Sequence, residues 1–411
     1  MSGSRRLLPG RDDYREQARP LPDGTEEFED EMPYTPETLS RGPRNSGASL
    51  GNSLQVVLLK SKLNLLIPCG FLAILVEYLT QNHGWVFPLS LLGIIPLAER
   101  LGFATEQLAL FTGPTGGGLL NATFGNATEL IISIYALRRG KLRVVQQSLL
   151  GSIMSNILLV LGCAFFSGGL ACGKTEQTFS KEDAVLNSGL LLMAVMGLLS
   201  PAMLYYTRSE VNFGKSELAL SRFSSCIMLL AIVECRNQGD DDDYVPEISK
   251  WEAIAWLVIF TAWISVISDY LVDAIEGASQ AWNVPTAFIS AVLLPIVGNA
   301  AEHTSAVVSA TKDKLDISLR VAIGSSTQIS MFVIPFCVVL GWIMGQPMDL
   351  NFHLFETASL LLTVLVVAFL LQDGTSNCMK GLMLVFCYLI VAASFYVYAD
   401  PDFHSFKSPQ N

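Results

Sequence analysis

The chain has 411 residues, of which 51% are hydrophobic and only 15% are charged, and its mean hydropathy is +0.44. This composition excludes an ordinary soluble globular protein and is typical of a polytopic membrane protein. The formal net charge of −11 says little about partners, because the acidic residues are clustered. We expect membrane lipid around the protein and no nucleic acid.

Residues 1–50 are rich in Pro, Gly, Ser and charged residues. They contain no apolar stretch typical of a signal peptide, and we predict a disordered cytoplasmic tail over 1–50. A membrane-spanning helix needs about 20 apolar residues. The segments that meet this requirement are 57–80, 85–112, 117–138, 143–169, 185–207, 215–236, 250–274, 284–311, 316–343, 352–372 and 376–398. The sequence therefore predicts an all-α polytopic membrane protein with about 11 transmembrane helices.

Lys and Arg are enriched in the cytoplasmic connections of membrane proteins. With eleven spans, the side of the N-terminus carries more Lys and Arg than the other side, although the excess lies in the tail. The run RRGKLR at 138–143 opposes this assignment. On balance the distribution predicts a cytoplasmic N-terminus.

An acidic cytosolic connection, 237–249, divides the chain into two transmembrane halves, 51–236 and 250–398, and a C-terminal tail follows at 399–411. The connection contains four consecutive aspartates, Asp240, Asp241, Asp242 and Asp243. Such a run is most simply a solvated loop. A segment that senses calcium or concentrates cations is the alternative interpretation.

The two halves resemble each other in sequence. The motif GNATE at 125–129 recurs as GNAAE at 298–302, which is 173 residues later, and a Gly-Ser pair follows each motif at the same spacing. The motifs lie in the third and eighth predicted spans, so the repeats enter the membrane from opposite sides. Inverted repeats of this kind are typical of secondary transporters, whose substrate site lies at the membrane midplane where the repeats meet.

Each motif places Asn and Glu three residues apart, which on a helix puts both on one face. The pairs are Asn126 with Glu129 and Asn299 with Glu302. The glycine before each Asn weakens the helix, and a loosened turn would free carbonyl oxygens. Carboxylate, amide and carbonyl oxygens together suit calcium. Protons can neutralise the same carboxylates, which is the requirement for cation/proton exchange.

The span after each motif supplies further polar side chains at helical spacing, which would complete an oxygen shell. We expect Ser152, Ser325 and Gln328 to contribute, with Ser155 and Asn156 on a common side with Ser152. Close packing of helices through small polar residues is the alternative explanation. His303, next to Glu302, is more simply a packed neutral histidine than a ligand.

Two further acids, Glu106 and Asp273, lie in the spans that precede the motif spans. We interpret them, together with Glu129 and Glu302, as groups for proton coupling. Pairing with basic residues such as Arg100 is the structural alternative. The glycines of PTGGG at 114–118 lack the Lys-Ser/Thr of a phosphate-binding loop, and nothing in the sequence indicates an enzyme.

The stretch from PLAERLGF to LLVLG at 96–162, with LPIVGNAAEH at 294–303 and KDKLDISLRVAIGSSTQI at 312–329, resembles the vacuolar calcium (cation)/proton exchangers of plants and fungi, within the calcium/cation antiporter superfamily. The resemblance covers about 50–400. It implies one peripheral first helix plus two inverted-topology five-helix repeats. It also implies Glu129 and Glu302 as the main cation ligands, with Asn126, Asn299, Ser325 and Gln328 lining the site.

The resemblance further implies proton-driven calcium transport into the vacuole by alternating access, no cofactor, and regulation by residues 240–243 and by an autoinhibitory N-terminal tail. The residues alone leave open a sodium-coupled calcium exchanger, a passive cation channel and a membrane scaffold. They also leave open the oligomeric state, a homo-oligomer included, and the selectivity among calcium, manganese and other divalent ions.

Overall fold

The structure is a computed structural model that describes residues 62–173, 176–208, 215–235 and 247–398. The predicted tails 1–50 and 399–411 and the aspartates at 240–243 lie outside the described residues. The predictions of a disordered N-terminal tail and of a regulatory acidic segment therefore stay predictions.

Nearly all of the described chain is helical, as the apolar spans predict. A 3-10 turn at Lys62–Leu66 leads into the first helix. The helices are α1 Ile67–Thr80, α2 His83–Ala109, α3 Gly113–Phe124, α4 Ala127–Arg138, α5 Leu142–Ala171, α6 Lys181–Tyr206, α7 Lys215–Cys235, α8 Lys250–Trp282, α9 Thr286–Gly298, α10 Ala300–Thr311, α11 Leu315–Ile343, α12 Leu354–Leu371 and α13 Cys378–Val397.

Local sequence signals fix the ends of several helices. At α8, Ser249 accepts a hydrogen bond from the Glu252 amide and Glu252 returns one to the Ser249 amide, which is a capping box. The same helix ends at Asn283, which adopts a left-handed conformation with φ 53°, a role that Asn fills when Gly is absent. These signals give α8 its 33 residues, more than the predicted span 250–274.

Eight helices in the described part of the chain are long and apolar enough to cross a membrane, or nine if the bent pair α9–α10 is one span. The sequence predicted eleven. The other two predicted spans are helical but are not among these helices: 117–138 is divided into α3 and α4 of 12 residues each, and 215–236 corresponds to α7, Lys215–Cys235. The total of eleven spans stays a prediction.

The helices differ sharply in burial, which defines the centre of the bundle. In the most apolar 18-residue window, 83% of residues are buried in α5 and 67% in α11, against 11% in the first helix. α5 and α11 follow the two motifs in the sequence, and they form the core. The first helix is peripheral, as the family resemblance implies.

One feature departs from the all-α prediction. Residues Gln177–Thr178 (β1) pair antiparallel with Thr375–Ser376 (β2), in the register Gln177 to Ser376. The two strands belong to the connections after α5 and α12, in different halves of the chain. Neither connection has a strand-length alternating pattern, so the sequence did not indicate this pair.

The two halves approach each other closely at Gly151 of α5. A Cβ at this position would lie 2.1 Å from the carbonyl oxygen of Ala291 in α9. The α9 segment around Ala291, Ile289–Leu293, is a π-helical turn, and π turns are frequent at functional sites. Gly324, which corresponds to Gly151 in the sequence repeat, has no neighbour within 4 Å at its Cβ position.

We predict that Gly151→Ala lowers the midpoint of thermal unfolding in detergent by several degrees, because overpacking a tight contact costs about 1–3 kcal/mol. Gly324→Ala is the matched control, and we expect it to unfold near the wild-type midpoint. Equal midpoints for Gly151→Ala and wild type would show that α5 and α9 are not in this close contact.

Candidate cation-binding site

Both motif asparagines lie where a helix is interrupted. Asn126, between α3 and α4, has φ −112° and ψ 26°, and Asn299, between α9 and α10, has φ −96° and ψ 13°. The helix axes of α9 and α10 differ by 54°. The sequence predicted a loosened turn at each motif, and the structure has a full break there. Asn therefore occupies the N-cap position of a half-helix rather than sharing a continuous helical face with Glu.

The break puts each glutamate in the first turn of a half-helix, Glu129 in α4 and Glu302 in α10. Backbone N–H groups at a helix N-terminus carry a partial positive charge, which stabilises an anionic side chain within the first turn. The local fold therefore offsets part of the cost of a carboxylate at membrane depth.

The asparagines do not cap their own helices with their side chains, although Asn is a favoured capping residue. The Asn126 amide instead donates to Gln328 Oε1 at 2.8 Å and to the Ala122 carbonyl at 3.2 Å. The Asn299 amide donates to Asn156 Oδ1 at 3.3 Å. Both side chains are therefore directed into the space between the repeats.

Asn299 also has an unsatisfied acceptor. Its Oδ1 atom is buried without a hydrogen-bond partner, and the residue is 2% exposed. An unsatisfied buried acceptor costs about 1–3 kcal/mol. A cation at this position would satisfy the oxygen, so Asn299 fits its predicted role as a ligand.

Glu302 is held by residues from both repeats. Asn156 Nδ2 donates to Glu302 Oε2 at 3.2 Å, and Ser325 Oγ lies 3.2 Å from Glu302 Oε1. Ser325 Oγ also lies 3.3 Å from Asn126 Oδ1. A hydroxyl carries a single hydrogen, so Ser325 serves either Glu302 or Asn126 at one time and links the two motifs.

Glu129 lies in a small pocket that adjoins this cluster, which we call the vestibule. It is lined by Thr128, Glu129, Ile132, Ser148, Ser152, Leu294, Pro295, Gly298 and Asn299. Because Ile132 of α4 and Ser148 of α5 line it, the vestibule lies on the side of the site that faces the α4–α5 connection. Asn299 lines the same pocket as Glu129 and is joined through Asn156 to Glu302, so the carboxyl groups of the two repeats belong to one site.

The predicted ligand set thus comes together: Asn126, Asn299, Glu302, Ser325 and Gln328 by hydrogen bonds, and Glu129 and Ser152 through the vestibule. Among the residues that the structure describes, no group of three or more His, Cys, Asp or Glu side chains is placed to hold a metal ion. The candidate site is made of two carboxylates and neutral oxygens, the kind of ligands that calcium takes.

The other predicted proton-coupling residues lie elsewhere. Asp273, on α8, forms an ion pair with Arg139, which also pairs with Asp269 at 2.8 Å. Arg139 is ten residues beyond Glu129, on the order of 15 Å along α4. The hydrogen bond to Asp269 and the nearby carboxylates raise the pKa of Arg139. Glu106 lies on an exposed face of α2. A proton-coupling role for Asp273 and Glu106 stays a prediction.

Two further residues lie at or beside the site. Asn156 is fully buried and touches both Glu302 and Asn299; its spacing from Ser152 was the available signal. His303, interpreted as a packed histidine, has Nε2 3.5 Å from the hydroxyl of Ser155, the residue next to Asn156.

Comparisons with known proteins show the family to which the chain is similar. The model of the family described as sodium/calcium exchanger protein matches residues 83–232 and 252–397. The chain is 66% identical to the putative vacuolar cation/proton exchanger 4 of Oryza sativa subsp. japonica, over 96% of each chain. It is 65% identical to the vacuolar cation/proton exchanger 5 of Arabidopsis thaliana, over 89% of this chain and 87% of the relative.

Among solved structures, the crystal structure of the Ca2+/H+ antiporter protein YfkE is similar, with a TM-score of 0.72 and 35% sequence identity. The similarity covers 82% of this chain and 99% of that chain.

We predict that Ser325→Ala weakens calcium binding by roughly tenfold, because it removes a hydrogen bond to a charged group. Equilibrium binding of radioactive calcium to purified protein in detergent measures this. Ser326→Ala is the matched control: the Ser326 hydroxyl bonds the backbone carbonyls of Ala322 and Ile153, and its loss should leave the affinity unchanged. Equal affinities for the two variants would exclude Ser325 from the site.

Proposed function

The chain belongs to the sodium/calcium exchanger protein family, and on that premise we propose that it is a calcium (divalent cation)/proton antiporter of the vacuolar membrane. The observation that carries the proposal is that Glu129 and Glu302, from opposite repeats, adjoin one group of asparagine side chains. The names of the relatives, cation/proton exchangers at 65% identity or more, support protons as the coupling ion.

The charge balance of the site supports exchange of one calcium ion against protons. Two facing carboxylates repel each other when both are ionised, and a carboxylate at the centre of a membrane helix costs about 2.5–3.5 kcal/mol on insertion scales. One divalent cation neutralises both groups. Two protons do the same, one carboxylate at a time. An empty, doubly charged site is the costly state, which disfavours return of the carrier without calcium or protons.

In the mechanism that we propose, ionised Glu129 and Glu302 take calcium when the site is open to the cytosol. Rotation of the half-helices about Asn126 and Asn299 then exposes the site to the acidic lumen. Protons displace calcium there and neutralise the carboxylates for the return step. The breaks at the two asparagines support this step, because a break lets one half-helix move while its continuation stays packed.

The finer assignments belong to the same proposal. The apolar helices and the vacuolar relatives support a multi-pass protein of the vacuolar membrane, with a cytoplasmic N-terminus as the Lys and Arg distribution predicts. Calcium and protons are transported substrates, and we expect no cofactor and no catalytic activity. Homo-oligomer formation and autoinhibition by the N-terminal tail stay predictions.

We predict calcium uptake into proteoliposomes with an acidic interior, against a calcium gradient and with matching loss of interior protons. Vesicles without a pH gradient should not accumulate calcium. Uptake that follows a sodium gradient instead would assign the chain to sodium-coupled exchange, and flux that ignores both gradients would indicate a channel.

We predict that Glu129→Gln and Glu302→Gln each abolish this uptake, because a neutral side chain leaves the site with one charge for a divalent ion. Expression and elution on size exclusion should stay at wild-type levels. The control is Glu182→Gln, a change at an exposed residue in the first turn of α6, which should transport normally. Wild-type rates in either site variant would contradict the proposed mechanism.

A further inference from the structure

The two repeats are not equivalent at one position of the site. With the separation of 173 residues, Ser152 corresponds to Ser325 and Ser155 to Gln328, so polar residues match polar residues. Asn156, however, corresponds to Ile329. Both are fully buried, and both lie at a π-helical turn, Ser155–Val160 in α5 and Ile329–Val333 in α11. The π-helical turn is thus present at this position in both repeats, whereas the side chain is polar in one repeat and apolar in the other.

Asn156 uses its whole amide inside the site. Its nitrogen donates to Glu302 Oε2 and to Ser325 Oγ, each at 3.2 Å, and its oxygen accepts from Asn299 at 3.3 Å. Glu302 therefore has both carboxylate oxygens within hydrogen-bond distance of a donor. A buried side chain with every polar atom satisfied is held in one orientation.

Glu129 lacks the corresponding support. At the position that matches Asn156, Ile329 offers no donor, and Ser152 makes no hydrogen bond to Glu129. Its carboxylate is hydrogen-bonded to its own backbone amide, and among the described residues no side chain donates to it. Glu129 lies instead in the vestibule. One carboxylate is held and the other is open to the pocket.

We propose that Asn156 is a positioning residue that fixes Glu302 as the stationary cation ligand, leaving Glu129 as the carboxylate that can turn within the vestibule. The inference deepens the proposed function and rests on it for the identity of the cation. The two glutamates then have different roles, although the motifs that carry them are nearly identical.

The difference between the carboxyl groups is measured with dicyclohexylcarbodiimide, an apolar reagent that modifies protonated carboxyl groups inside membrane proteins. Purified protein in detergent is labelled without calcium, and the modified residue is identified by mass spectrometry. We expect label on Glu129 and little on Glu302, and we expect calcium to protect Glu129. Label mainly on Glu302, or equal label on both, would overturn the proposal.

The role of Asn156 is tested with Asn156→Ile, which copies the residue of the other repeat, and with Asn156→Ala, which removes the amide without adding bulk. We expect each to weaken calcium binding roughly tenfold and to raise the labelling of Glu302 severalfold. Because the two variants differ in shape, a folding defect of one does not decide the outcome.

Ile329→Asn serves as the reciprocal change. It supplies an amide at the matching position, and we expect it to reduce the labelling of Glu129. A loss of transport in the Asn156 variants with unchanged calcium affinity and unchanged label distribution would show a merely structural role and overturn the proposal.

Binding and labelling need no ion gradient, so their outcome is independent of the transport test. If wild-type protein shows no proton-coupled uptake, the proposed function fails, while the different labelling of Glu129 and Glu302 still decides the role of Asn156.

Discussion

Two partly buried carboxyl groups where the repeats meet, those of Glu129 and Glu302, set the main physical constraint on this protein. Their surroundings are mostly apolar helices. Such a pair is costly unless positive charge is supplied. The polar residues around it, the interrupted helices and the burial of α5 and α11 all follow from the need to hold these groups while a cation or protons neutralise them.

The helix breaks meet this constraint with backbone chemistry. Because α4 and α10 each begin next to the motif asparagine, the positive end of a helix dipole lies near each glutamate. At these breaks the asparagine side chains do not cap the helices that follow. They are directed across the repeat interface instead. One local distortion therefore stabilises the carboxylate, presents amide oxygens to the site and provides a place where the helix can bend.

The sequence predicted much of the site because each motif repeats at a fixed separation, and a repeat that enters the membrane in the opposite sense must meet its partner. Glu129, Glu302, Asn126, Asn299, Ser325 and Gln328 were predicted on that basis. The position of Asn156 could be guessed from helical spacing, but its bonds to Glu302 and Asn299 cross between repeats, more than 140 residues apart. The helical spacing of residues within one segment does not predict contacts with another segment.

The contacts that the sequence did not indicate have similar causes. Asp273 was interpreted from its place before the motif span, and its ion-pair partner Arg139 follows α4, so only the packing of α4 on α8 brings the two together. The β1–β2 pair joins connections too short for a strand pattern. Span 117–138 reads as one apolar segment, but the break at Asn126 divides it into α3 and α4.

The account is tested most directly by locating the ion. Crystals of the purified protein soaked in strontium, a heavier analogue of calcium with strong anomalous scattering, would give the ion position without reference to the helices. We predict one peak per chain at the repeat interface, about 2.5 Å from oxygens of both Glu129 and Glu302 and in contact with Asn299. A peak bound to only one of the two glutamates, or separate peaks at each, would contradict a single shared site.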